Sequence, residues 1–69
     1  MSITYLPDQS ISSNTQLAIV FRRDDGTSHN DSVVIPYTDG GEIDGVELES
    51  RIQSLYNYVI NKQNSIDWY

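Results

Sequence analysis

Sixty-nine residues, with ten Asp and Glu against four Lys and Arg and a formal charge of −6, describe one small acidic domain. Chains of this size bury only about 60% of the surface they expose when unfolded, so they are marginal without a staple. The absence of cysteine removes disulfides and thiolate metal sites, and His29 alone cannot build a structural zinc centre, which leaves association as the remaining staple.

The first fifteen residues are polar and lack helical periodicity. They show neither the basic nor the apolar region of a signal peptide. Ile3 and Tyr5 alternate with polar neighbours, and Pro7 holds Leu6 extended. Residues 1–15 therefore read as an extended polar arm, with a short edge strand over 3–6 as the alternative.

A strand follows over 16–24, with Leu17, Ile19 and Phe21 on one face. Asp24-Asp25-Gly26-Thr27 is a turn signal. A second strand over 32–37 places Val33, Ile35 and Tyr37 together, and Pro36 marks an edge or an end. Matching the apolar faces pairs Ile19 with Val33 and Leu17 with Ile35, which calls for a longer loop or a bulge around residues 25–31.

Residues 38–45 form a Gly/Asp loop. Asp44 and Glu47 have capping-box spacing, and Ile43 and Leu48 have hydrophobic-staple spacing. Leu48, Ile52, Leu55, Tyr56 and Val59 then form an apolar stripe at helical period. The pattern predicts a helix over 45–62, with Glu47 and Arg51 placed as a surface pair. The tail, 63–69, carries Ile66, Trp68 and Tyr69, a large apolar load that must either fold back on the sheet or dock on another chain. The fold class is thus α+β: a small ββα domain with a hairpin packed on one C-terminal amphipathic helix.

Eight carboxylates and no Lys or Arg lie between Asp24 and Glu49. That block argues against nucleic acid and anionic membranes as partners of this face and favours a basic partner, or no partner at all. No frame of the acidic loop supplies the ligand spacing and glycine of an EF-hand. Asp44 and Glu47 are accounted for by capping and the helix dipole, and Asp24, Asp25 and Asp31 by turn chemistry. Asp39, Glu42, Asp44, Glu47 and Glu49 together could form an acidic binding face. No nucleophile, base and stabiliser can be assembled, so no enzyme, cofactor or metal is expected. The longest apolar run, Leu17–Phe21, is far short of the ~20 residues that span a bilayer.

Tyr56 belongs to the core stripe, whereas Tyr58 lies on the opposite face near Lys62 and is a candidate contact residue. Ile66, Trp68 and Tyr69 join it as candidate partner-binding residues. Over residues 17–62 the hairpin and capped helix resemble the second half of small head–tail joining proteins of tailed phages, which carry an N-terminal helix where this chain has its polar arm. That resemblance implies a non-catalytic virion or assembly component, attached through the arm and the aromatic tail to a protein partner or to copies of itself. The acidic block is also similar to small acidic phage inhibitors, anti-CRISPR proteins among them, which implies the alternative of an inhibitor of a basic site on a nucleic-acid enzyme. Either role places the chain in the host cytoplasm or the virion, without a signal peptide.

Overall fold

The computed structural model describes residues 2–69. Strands β1 (Ile3–Asp8), β2 (Gln16–Arg23) and β3 (Ser28–Val34) form an antiparallel sheet in that order. Helix α1 (Gly45–Asn61) covers one face, and short 3-10 turns follow β1 and α1. The α+β class, the hairpin and the C-terminal helix are as the sequence predicts. The N-terminal stretch is extended but not free: Ile3–Asp8 pairs along β2, the edge-strand alternative, and Ile3 is buried.

Pro7 fits this strand for a geometric reason. Arg23 donates its amide to the Thr27 carbonyl at the head of the hairpin. The alternation of an antiparallel ladder then turns residues 17, 19 and 21 of β2 toward β3, and residues 18, 20 and 22 toward β1. Pro7, opposite Ile19, therefore faces the outer edge, where its missing amide costs no ladder bond. Beyond Asp8 the Ser12 hydroxyl closes the ladder, donating to the Asp8 carbonyl (2.7 Å) and accepting from the Ala18 amide (2.9 Å).

The hairpin register corrects the expected one. Leu17 pairs with Val33, Ile19 with Asp31 and Phe21 with His29, two residues away from apolar-to-apolar matching. The second strand accordingly runs over Ser28–Val34, not 32–37. Turn chemistry decides this. Asp24-Asp25-Gly26 is a three-residue loop in which Gly26, at φ 86°, donates to the Arg23 carbonyl (3.1 Å), the type I turn with a glycine bulge favoured in such hairpins. The shift keeps the parity of the faces, so only His29 and Asp31 become polar neighbours on the helix side.

The same turn recurs in the loop before α1. Thr38 donates its amide to the Glu42 carbonyl (2.7 Å), Gly41 at φ 82° donates to the Thr38 carbonyl (3.0 Å), and Tyr37 pairs with Ile43. Asp44 caps the helix, its carboxylate accepting from the Glu47 amide (3.1 Å). The reciprocal half of the capping box does not form. The Asp44 amide is already given to the Pro36 carbonyl (3.0 Å), and Glu47 pairs with Arg51 at 3.4 Å instead.

Ile3, Leu17, Ile19, Phe21, Val33 and Val59 form the buried core, with Ile35, Leu48, Ile52, Leu55, Tyr56, Ile66 and Trp68 packed against it. The helix crosses the sheet diagonally. Arg51 donates to the Val34 carbonyl at the β3 edge (2.9 Å), and the Tyr56 hydroxyl donates to the Ile3 carbonyl at the β1 edge (2.7 Å). The opposite sheet face carries Thr4, Asp8, Gln16, Arg22, Ser28, Asn30 and Ser32 beside Leu6, Val20, Val34 and the buried Ala18. Most of its side chains are polar, so water covers it without a second layer.

Candidate interaction surfaces

The tail decides where the predicted contact residues go. After α1 the chain turns through Gln63–Ser65 and returns to the edge of β3. There Tyr69 exchanges two backbone hydrogen bonds with Ser28 (2.8 and 2.9 Å). Trp68 lies against the sheet, its indole Nε1 donating to the Gln63 carbonyl (2.8 Å) and its ring packed on His29 at 5.8 Å between centroids. Ile66 packs against the core. The fold-back alternative therefore holds for Trp68 and Ile66, both of which pack against the core.

Tyr58 and Tyr69 remain outside, 56% and 85% exposed. They line one shallow cleft of about 350 Å³ with Ile66, His29, Asn30, Asp31 and Asp67. Three of the four predicted contact residues thus meet there, although 58 and 69 are separated by a turn and share no sequence periodicity. His29 stands 3.5 Å from the Asp31 carboxylate within this cleft.

A second groove lies at the other end of the helix. Leu17, Ile35, Tyr37, Ile43 and Leu48 line about 280 Å³ of open space, with Ser12, Ser13 and Asn14 on the far wall. The Tyr37 hydroxyl donates to the Asn14 carbonyl and ties the two walls together. Tyr37, Ile43, Val46 and Ile11 are 49–85% exposed in the segments that build this end. Sequence reasoning missed the groove, because Tyr37 and Ile43 look like strand and staple residues until the glycine-bulge turn pairs them.

The proposed acidic face falls at this end. Glu42 and Asp44 flank Ile43, and Glu47 and Glu49 flank Leu48, so acid residues bracket two of the groove's apolar residues along the chain. Asp39 and Glu42 sit on the exposed turn, Asp44 is the helix cap, and Glu47 is paired with Arg51. Asp39, Glu42 and Glu49 form no ion pair among the described residues.

The remaining titratable groups organise the hairpin. Hydrogen bonds from the Ser2 hydroxyl (2.6 Å) and amide (3.0 Å) hold the Asp24 carboxyl below its ordinary range. The Thr27 hydroxyl (2.6 Å) and amide (3.0 Å) do the same for Asp25. Among the described residues no three His, Asp or Glu side chains converge to hold a metal ion, and no helix is long and apolar enough to cross a membrane. The chain matches no protein-family model, no curated protein and no solved structure.

Proposed function

We propose that this protein is a non-catalytic protein–protein interaction subunit. One observation supports this most: Tyr37 and Ile43 stand exposed on the lining of the groove at the N-terminal end of α1, with exposed Val46 on the adjoining first turn of the helix, while most side chains of the open sheet face are polar. Exposed apolar side chains gathered around a concave site, rather than scattered singly, are the mark of a contact surface. The tyrosine cleft at the other end of a molecule 42 Å long would give a second attachment point. Two ends of this kind suit a small joining component, and the likeness to head–tail joining proteins makes a phage virion, or the host cytoplasm before assembly, the proposed location. The contacts would be made by Tyr58 and Tyr69 at one end and by Tyr37, Ile43 and Val46 at the other. Trp68, Ile66 and the N-terminal strand would serve the fold.

The test uses the full chain as bait in an extract of its native source, with solution mass measured alongside. An Ile43→Ser/Val46→Ser variant, altered only at exposed positions, should keep its unfolding midpoint and lose the captured protein or the oligomer. Capture and mass unchanged by that variant and by Tyr58→Ser would sink the proposal.

The exposed, unpaired carboxylates of Asp39, Glu42 and Glu49 support a second reading, an acidic inhibitor of a basic site on a nucleic-acid enzyme. Amide replacement of all three should then abolish inhibition, which would also fall steeply with salt.

A further inference from the structure

Building on the interaction reading, we infer that the groove between the residue 12–14 segment and the β3–α1 connection takes a basic amphipathic segment of another protein. An apolar side chain of that segment would be seated among Leu17, Ile35, Tyr37, Ile43 and Leu48, with Lys or Arg on its flanks.

Size comes first. About 280 Å³ lies just under the range of roughly 300–1,000 Å³ that encloses small-molecule ligands, and the groove is open along one side. It suits the anchor side chain of a larger partner, as in helix-in-groove recognition.

Charge then selects the partner. The groove's lining is uncharged, and two of its residues, Ile43 and Leu48, each sit between two acid residues along the chain, so any charge met beside the groove is negative. The nearest cation in sequence, Arg51, is committed to Glu47 and to the Val34 carbonyl. An incoming Lys or Arg would therefore meet carboxylates with no competing cation. A second copy of this chain is disfavoured in the same place. A two-fold contact across the groove would bring Glu42, Asp44 and Glu49 of each copy toward the same residues of the other, and like charges so juxtaposed oppose binding.

The polar wall adds direction. Ser13 and Thr15 are engaged with each other, and the Asn14 carbonyl accepts from Tyr37. That wall is held in place and offers Ser, Asn and Gln edges to one side of a bound segment, opposite the β3–α1 connection that carries Asp39, Glu42 and Asp44.

Two synthetic peptides test the inference with the full isotope-labelled chain. Both carry Leu and Phe anchors at helical spacing; one has Lys and Arg on its flanks, the other Glu. The basic peptide should shift the amide signals of Leu17, Tyr37, Ile43 and Leu48 and bind about tenfold more weakly as salt is raised from low to several hundred millimolar. The acidic peptide should leave those signals in place. Ile43→Ser should remove the response to the basic peptide, and Asp39→Asn/Glu42→Gln/Glu49→Gln should weaken it several-fold while unfolding midpoints stay put. Equal binding of both peptides, or shifts confined to other surfaces, would overturn the inference. Silence toward both peptides, with Ile43→Ser/Val46→Ser still releasing a captured native protein, would overturn it too but leave the interaction role standing.

Discussion

The Arg23 guanidinium carbon lies 4.3 Å from the centroid of the Trp68 ring, joining the end of β2 to the returning tail. Arg23 is also held by Asp25 at 3.5 Å and by its Nε–H donated to the Thr27 hydroxyl at 2.9 Å. The turn thus aims the cation, and the tail covers it. His29 completes the arrangement, its ring between Phe21 and Trp68. Of the two polar residues that the hairpin register leaves on the helix side, His29 is covered by an aromatic from the far end of the chain, and Asp31 stays at the open cleft.

Trp68→Ala should lower unfolding stability by about 2 kcal/mol, below the 3–5 kcal/mol of a fully buried aromatic because Trp68 is only half-buried. Urea denaturation followed by far-UV dichroism measures it. In the parent chain Trp68 is the single tryptophan, so its emission reports the tail directly. Emission typical of free indole in water under native conditions would contradict the docked tail.

Tyr56→Phe removes the hydroxyl that satisfies the Ile3 carbonyl at the outer edge of β1. The cost should be about 1 kcal/mol, the net value of one such bond. Amide exchange should quicken in β1 more than in β3. Uniform loss of protection across the sheet would show that the bond does not act locally.

Gly26 and Gly41 hold equivalent positions in the two glycine-bulge turns, both at positive φ and both in open space. Alanine at either should cost about 1–2 kcal/mol from backbone strain alone, since no neighbour obstructs a Cβ. Asparagine, which tolerates that conformation, should cost distinctly less. Equal penalties for alanine and asparagine would show that strain is not the cause.

Asp24 and Asp25 both have folded-state carboxyls below their ordinary range, through the hydrogen bonds from Ser2 and Thr27. The unfolded chain therefore takes up protons first as pH falls. The stability they contribute is complete above the ordinary Asp value near about 3.9 and is lost as pH drops through their lowered folded values. Thermal midpoints of an Asp24→Asn/Asp25→Asn variant should decline less than the parent's below about pH 4. Parallel declines would assign the acid sensitivity to other groups.

Local chemistry was legible in the sequence wherever a few adjacent residues decide the outcome. The α1 cap at Asp44, the apolar stripe from Leu48 to Val59, the β2 strand and the Asp-Gly turn signals all follow from propensity and spacing, and the structure carries each of them. Only tertiary structure decided matters that depend on distant segments meeting. It set the register, because the three-residue turn outweighs apolar pairing. It drew Ile3–Asp8 onto β2, because an edge was vacant and Pro7 could face away from the ladder. It spent Trp68 and Ile66 on the fold, leaving Tyr58 and Tyr69 outside. It also brought Tyr37 and Ile43 together beside Leu17 and Leu48 to make a groove that no sequence periodicity announces. Periodicity records which face of an element is apolar; which apolar side chains remain uncovered depends on how the elements close over one another.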